Sequence, residues 1–302
     1  STFFQLDATH DSQLTTHDSQ LTMNHLQLFN DTCFECSGLI TRRYSTSFSM
    51  GIRLFDQRFR APICGIYGFV RFADEIVDTF HDHPKEMLLR RFREDTYRAI
   101  EERISLNPVL QSFQQVVHFY GIEMELIEAF LHSMEMDLTS SAYDTAGYNE
   151  YIYGSAEVVG LMCLRVFCEN DDARYQSLKD PARRLGAAFQ KINFLRDIKS
   201  DFDERGRVYF PGVDFQQFSV EDKRLIESDI KDDFDAALDG IRRLPRGARL
   251  GVYLAYKYYT QLFSKIKNAP VQRVAQERFS VSHKRKVYLL FSSALRHQLN
   301  FL

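Results

Sequence analysis

The segment FVRFADEIVD (residues 69–78) places three acidic residues and one arginine inside an otherwise apolar run. Burying Asp74, Glu75 and Asp78 costs free energy unless they are paired or bind a metal ion. On an α-helix, Asp74 and Asp78 lie one turn apart on a face that Arg71 shares, while apolar residues cover the other faces. The pattern predicts a helix that is buried on several sides and presents two stacked carboxylates in one direction.

A second stripe of oxygen-bearing side chains occurs in FQKINFLRDIKSD (residues 189–201). Asn193, Asp197 and Asp201 are spaced by four residues and extend over about 12 Å of one helical face at 1.5 Å per residue. Gln190 lies on the same face, close to one turn earlier. Two such helices facing each other could hold several divalent ions, because Mg²⁺ prefers oxygen ligands and takes its remaining ligands from water and substrate phosphates.

The alternative interpretation is that each acidic stripe is a solvated helix face. Asp229 and Asp233 in ESDIKDDFD (residues 227–235) have the same spacing and lie among many other charges, so a solvated face explains that pair. The first stripe lacks such a charged neighbourhood, and both stripes have a basic residue close by, Arg71 and Arg196. Together the two stripes favour a functional site over a solvated surface.

The whole chain reads as a soluble, helical protein of 302 residues, with 44% hydrophobic and 26% charged residues. The net charge of −3 gives no indication of a nucleic-acid partner. Apolar residues recur at helical spacing, and sustained period-two strand patterns are absent. We therefore expect one all-α domain over residues 23–302, with Pro62 in the first turn of a helix. We also expect further prolines at element boundaries: Pro108, Pro181, Pro211, Pro245 and Pro270.

The first 22 residues differ from the rest, because THDSQLT occurs at residues 9–15 and again at residues 16–22. Such a polar tandem copy does not supply core residues. We expect residues 1–22 to be a disordered extension or tag that stands outside the helical domain.

Five cysteines without a regular framework argue against a disulfide-stabilised secreted protein. The apolar runs are shorter than the roughly 20 residues that span a bilayer. No signal peptide is recognisable in the sequence. These features favour a cytoplasmic location.

Both acidic stripes belong to an ordered set of motifs that resembles the squalene/phytoene synthase family, the head-to-head prenyltransferases. The set covers about residues 30–300, and its order along the chain is that of the family. It comprises YSTSFSMGIRLF (residues 44–55), RFADEIVD (71–78), YIYGSAEVVGLM (151–162), NFLRDIKSDFDERGRVYFP (193–211), a helix around Tyr259 and RFSVSHKRK (278–286).

The resemblance implies an isoprenoid-synthase-type helical bundle around a central apolar cavity. It implies Mg²⁺ ligands at Asp74, Asp78, Asn193, Asp197 and Asp201. Contacts to the substrate, chiefly to its diphosphate, are implied for Tyr44, Ser45, Ser47, Tyr67, Arg71, Gln190, Arg196 and Tyr259. Catalytic roles are implied for Asp74, Asp78, Asp197, Asp201 and Arg71. Suggested cavity-wall residues are Phe48, Phe69, Val159, Leu161 and Phe189.

Simpler interpretations exist for several of these residues. Ser45 and Ser47 are also good helix N-caps. Tyr67 and Tyr259 could equally be core tyrosines, and Arg196 could pair with neighbouring acids. Glu157, at a position where many family members have glycine, could reshape the cavity wall.

The activity implied is the condensation of two C20 geranylgeranyl diphosphates to phytoene through prephytoene diphosphate, with Mg²⁺ (Mn²⁺ also fits) and without NADPH. Tyr44 favours the C20 substrate modestly, because some C15-using members have His at this position. The alternatives are a squalene or dehydrosqualene synthase that uses two C15 farnesyl diphosphates, and a catalytically inactive helical binding or assembly protein. We expect no nucleic-acid partner, a monomer or homodimer, and peripheral contact with a membrane because the product is lipid-like.

Overall fold

The computed structural model describes residues 9–139, 143–205, 209–213, 218–282, 289 and 293, with the backbone alone for residues 9–24, 199–205 and 275. The described chain is built from α-helices without β-strands, which confirms the all-α prediction. A π-helical turn, Tyr153–Glu157, joins the seventh and eighth helices. The helices are α1 (Thr9–Tyr44), α2 (Thr46–Ile52), α3 (Gln57–Asp78), α4 (Lys85–Glu102), α5 (Pro108–Tyr120), α6 (Met124–Thr139), α7 (Thr145–Ile152), α8 (Val158–Cys168), α9 (Asp172–Arg205), α10 (Val220–Arg243), α11 (Arg246–Lys267) and α12 (Val271–Gln276).

Local sequence signals account for several helix ends. The side chain of Asn107 caps α5, whose first residue is Pro108, and Gly121 ends the same helix in the left-handed conformation that glycine adopts at low cost. Ser219 and Asp222 form a reciprocal capping box at the start of α10.

Two proline predictions were wrong. Pro62 lies in the second turn of α3 rather than in its first, and Pro181 lies well inside α9. The ring of Pro181 occupies the space where a Cβ at Gly240 would stand, so α10 crosses α9 closely at this point. Packing between helices thus accommodates a proline that local sequence rules would place at a helix end.

Two apolar clusters form the interior. The first is built mainly on α3–α6 and α8, where the rings of Phe69 and Phe113 stack at 3.9 Å between centroids. The second is built mainly on α7 and α9–α12, where Phe189 stacks on Tyr259 at 3.9 Å. Residues associated with both clusters line a cavity of about 390 Å³, so the bundle is hollow along its centre.

The interpretation of Asp229 and Asp233 as a solvated pair was wrong for Asp233. Its side chain is only 1% exposed and accepts hydrogen bonds from Arg184 (2.8 Å) and Lys191 (2.7 Å) of α9. Asp229 is 52% exposed and pairs with Lys191 from the rim. Because α10 packs this face against α9, the inner acid joins a buried ion-pair network that links the two helices.

The N-terminal repeat falls on α1, whose backbone is helical from Thr9 onward. Residues 9–22 are therefore helical in the structure, where we had expected disorder, and residues 1–8 lie outside the described part. That residues 1–22 stand apart from the helical domain stays a prediction.

Among the described residues, one helical stretch has the length and composition of a membrane span, Thr145–Cys168. Of its apolar 18-residue window, 67% is buried inside the bundle, as is common for a core helix. This stretch is therefore weak evidence for a membrane span.

Candidate active site

The first acidic stripe lies on the C-terminal turns of α3. Asp74 and Asp78 are partly buried there, and Glu75 is 9% exposed and forms an ion pair with Arg71 one turn earlier. The Arg71 guanidinium also lies 4.4 Å from the centre of the Tyr44 ring. Its buried Nε has no hydrogen-bond partner among the described residues. Glu75 and the Tyr44 ring thus hold the Arg71 guanidinium in place. Its Nε–H is left to donate a hydrogen bond to a group outside the described residues, such as a bound ligand.

Asp74 is electrostatically strained in this structure. Burial, followed by the charge of Asp78, raises the pKa of Asp74 from 3.8 to about 7, with Arg71 opposing and Asp137 adding to the rise. Such a shift means that the protein alone does not supply enough positive charge to stabilise these carboxylates. A cation bound beside them would relieve the strain, as expected of a metal-binding position.

The second stripe runs along α9. The Asn193 carbonyl oxygen accepts a hydrogen bond from the Tyr259 hydroxyl (3.3 Å), and its amide nitrogen donates to Gln190 (3.4 Å). One turn further, Asp197 accepts hydrogen bonds from Arg196 (3.1 and 3.0 Å). Arg196 therefore does pair with a neighbouring acid, which was the simpler interpretation of this residue. Asp201 belongs to the same helix, but its side chain lies outside the described part.

A second arginine reaches Asp197 from a distant part of the sequence. Arg278, in the segment that follows α12, donates from Nε to Asp197 at 2.8 Å, and its side chain is 71% exposed. Two guanidinium groups therefore share the Asp197 carboxylate, in the middle of the second acidic stripe.

The two stripes lie at the same end of the cavity. Tyr67 of α3 lines the cavity together with Gln190 and Asn193 of α9 and with Tyr259 of α11. Burial raises the pKa of Tyr67, and the charges of Asp74 and Tyr259 contribute to the rise, so the three groups lie within electrostatic range.

Both helices run in the same direction relative to the cavity. Each first passes apolar lining residues, Ile63 on α3 and Leu178 on α9. Further along, each helix contributes polar lining residues, Tyr67 on α3 and Asn193 on α9. The acidic residues follow about one to two turns later on each helix. The two predicted stripes consequently meet at one polar mouth of an apolar hollow.

The remaining predicted substrate contacts surround this polar mouth. Ser45 accepts a hydrogen bond from the backbone N–H of Phe48 (3.2 Å) and caps α2, so the capping interpretation holds for it. Its side chain also lies close enough to Tyr67 to lower the pKa of that hydroxyl, against the effect of burial. Ser47 lines the cavity, and Tyr44 is 48% exposed beside Arg71.

Sequence reasoning missed Asp137 and the roles of Glu75 and Tyr151. The Tyr151 hydroxyl donates to Asp137 of α6 at 2.8 Å, and the negative charge of Asp137 helps to raise the pKa of Asp74. The available signal was an acid directly between Met136 and Leu138, because a carboxylate among apolar neighbours needs a partner if it is buried.

The predicted cavity wall was correct in part. Phe48, Val159 and Phe189 line the cavity. Phe69 and Leu161 do not, because they pack into the solid core of the first apolar cluster. 

Glu157 is not among the residues that line the cavity, and its carboxylate accepts a hydrogen bond from Arg183 of α9 at 2.6 Å. Burial raises the pKa of Glu157, and the pairing with Arg183 opposes that rise. The glutamate therefore joins the π-helical turn to α9 through this ion pair.

The residues present fit Mg²⁺. Within the described residues, no three carboxylate, imidazole or thiol groups converge into a ready-made metal centre. Paired carboxylates on two helices would instead supply one or two oxygens each, which is how Mg²⁺ is bound when substrate phosphates and water complete its coordination.

The model of the squalene/phytoene synthase family matches residues 41–285 of this chain. The chain therefore belongs to the squalene/phytoene synthase family, a family of head-to-head prenyltransferases that bind prenyl diphosphates. The matched region contains every residue of the two acidic stripes.

Individual relatives are distant and differ in their names. Phytoene synthase of Cereibacter sphaeroides is 24% identical over 289 residues, covering 87% of this chain and 79% of the relative. 4,4'-Diapophytoene synthase of Staphylococcus haemolyticus is 23% identical over 272 residues, covering 82% and 92%. A crystal structure of a dehydrosqualene synthase in complex with a ligand superposes with a TM-score of 0.75 at 22% identity, covering 89% of this chain and 98% of that one. That superposition confirms the fold.

Proposed function

We propose that this protein is a Mg²⁺-dependent phytoene synthase, which condenses two geranylgeranyl diphosphates head to head. The observation that carries the proposal is the meeting of two acidic stripes at one polar mouth of an apolar cavity. Such a mouth suits a diphosphate, and such a hollow suits a prenyl chain. The name of the Cereibacter sphaeroides relative supports the C20 substrate.

The metal ligands in this proposal are Asp74 and Asp78 on α3 and Asn193, Asp197 and Asp201 on α9. Bound Mg²⁺ would act as a Lewis acid that neutralises the charge developing on the diphosphate leaving group. Asp74 would need to lose its proton before it could serve as a ligand, because its pKa is about 7 without the metal.

The basic residues would bind the diphosphate directly. Arg196 and Arg278 donate to Asp197 in the present structure. When Asp197 ligates a cation, both guanidinium groups become available to the diphosphate oxygens, for which an arginine fork is well suited. Arg71 would add its buried Nε from the α3 side.

The cavity would protect the reacting allylic cations. Its lining is overwhelmingly apolar away from the mouth, with residues such as Ile63, Val159 and Phe167. A site that excludes water prevents such reactive intermediates from being hydrolysed. The same lining would hold the prenyl chains of both substrates.

The test is a product assay with purified protein, Mg²⁺ and either C20 or C15 diphosphate, with and without EDTA and NADPH. Phytoene from the C20 substrate, lost with EDTA and independent of NADPH, is expected. Asp78→Asn and Asp197→Asn should abolish turnover while the fold persists, and Asp95→Asn on the exposed side of α4 serves as the matched control. Full activity of both variants would contradict the site.

The same assay decides between the proposed function and its alternatives. Dehydrosqualene or squalene from the C15 substrate would favour the second candidate, which the name of the superposed dehydrosqualene synthase supports. An absence of any hydrocarbon product would favour the inactive binding protein. All five candidate ligand positions carry oxygen side chains, which argues against that last alternative.

A further inference from the structure

Gly51 of α2 is buried and lines the cavity, yet the space beside its Cα is almost empty. A Cβ at this position would meet one heavy atom within 4 Å, the carbonyl oxygen of Gly251, at 3.6 Å. That separation is ordinary van der Waals contact. Because Gly51 is shielded from solvent, the open space next to it is the cavity itself.

Gly251 of α11, which faces Gly51, has no room for a side chain. A Cβ there would overlap the Phe55 ring and would approach the Gly51 carbonyl oxygen to 2.6 Å. Gly251 is therefore required for the close crossing of α2 and α11. Gly51 is not required for that crossing, so packing alone does not explain its missing side chain.

Gly51 lies between the polar and apolar ends of the hollow. Ser47, one helical turn earlier, is at the polar mouth with Tyr67. Phe55, four residues later and beyond the end of α2, is in edge contact with Phe167 at the apolar end, with 5.1 Å between ring centroids. A side chain at position 51 would thus project into the middle of the cavity and divide it.

We propose that Gly51 determines substrate chain length by keeping the two halves of the cavity continuous. This inference rests on the proposed function in assuming that the hollow holds a prenyl chain. A short chain would fit in the half next to the diphosphate, while a longer one must pass Gly51 to reach the half near Phe167. Larger side chains at this position should therefore discriminate against C20 more than against C15.

The test measures binding and does not depend on turnover. Isothermal titration with Mg²⁺ gives the affinities of wild type, Gly51→Ala and Gly51→Leu for the unreactive S-thiolo analogues of the C15 and C20 diphosphates. Gly38→Ala is the control, because Gly38 is a buried glycine on α1 outside the cavity and its added methyl meets only the flexible end of Arg42, at 3.2 Å.

Gly51→Leu should lower the C20-to-C15 affinity ratio roughly tenfold or more, the usual effect of misfitting methylene groups in an apolar pocket. Gly51→Ala should lower it about fourfold, the effect of one methylene, and decides the question if Gly51→Leu does not fold. The Gly38 control should leave the ratio unchanged.

An unchanged ratio in Gly51→Ala, or equal losses for both analogues in a folded Gly51→Leu, would overturn the proposal. The proposed function is judged separately, by the hydrocarbon that wild type makes. A wild type that makes only C30 product would refute the C20 assignment, while a falling affinity ratio would still support the role of Gly51.

Discussion

Replacing Asp74 by asparagine should stabilise the metal-free protein while it removes a candidate metal ligand. In the folded state, burial and the neighbouring carboxylate of Asp78 raise the pKa of Asp74 from 3.8 to about 7. Ionising Asp74 is therefore unfavourable in the folded chain and easy in the unfolded one. Asparagine has nearly the same shape and carries no charge, so it removes this penalty.

The magnitude follows from linkage between proton binding and folding. A rise of about 3 pKa units corresponds to about 4 kcal/mol, since each unit is worth 1.36 kcal/mol. Asp74 is partly exposed, so solvent screening reduces the expected effect to about 2 kcal/mol near pH 8.

The direction of the Asp74 pKa shift determines how stability depends on pH. Because the pKa is raised in the folded state, the stability of wild type is fully present below about pH 4 and is lost as the pH rises through about 7. The advantage of Asp74→Asn should accordingly be largest near pH 8 and should fall below about 1 kcal/mol near pH 5.

Urea unfolding in EDTA near pH 5 and near pH 8 measures this difference in the free energy of unfolding. Asp95→Asn is the control, and its stability relative to wild type should be the same at both pH values. Adding Mg²⁺ with pyrophosphate should stabilise wild type more than the variant, because the metal binds the ionised carboxylate. An Asp74→Asn protein that is no more stable than wild type near pH 8, or whose advantage is equal at both pH values, would refute this reasoning.

Two further substitutions test interactions that the structure shows directly. Glu75→Gln should release Arg71 from its ion pair and weaken the contact between Arg71 and the prenyl diphosphate. Steady-state kinetics should show KM raised roughly tenfold with a smaller change in kcat, as expected for a weakened charge-assisted contact. A change in kcat alone would contradict this. Asp233→Ala should cost about 2 kcal/mol in urea unfolding, because it removes the buried carboxylate that accepts hydrogen bonds from Arg184 and Lys191. Asp235→Ala on the exposed face of α10 should cost less than about 0.5 kcal/mol, and equal costs would refute the buried network.

Sequence reasoning predicted what depends on local spacing. The four-residue steps of the acidic stripes define one face of a helix wherever that helix packs, and the caps at Asn107 and Ser219 act within a single turn. The helical content, the two stripes and their placement on α3 and α9 could therefore be predicted from the chain alone.

Contacts between distant segments could not be predicted in this way. Whether Asp233 is solvated depends on α9 covering that face of α10, and its sequence neighbours indicate only charge. Asp137 influences Asp74 because α6 packs near α3, and no local pattern records that proximity. A phenylalanine suits a cavity wall and a solid core equally well, so the sequence alone does not distinguish these positions for Phe69. Only the packing of the helices places Phe69 in the core against Phe113.

The central claim is that the two acidic stripes share divalent cations with one diphosphate at the cavity mouth. Crystals grown with Mn²⁺ and pyrophosphate test it most directly, because anomalous scattering locates the manganese ions. The claim predicts manganese peaks beside Asp74 and Asp78 and beside Asn193 and Asp197, with a single pyrophosphate between them. Manganese bound to one stripe alone, or pyrophosphate bound away from the cavity mouth, would contradict it.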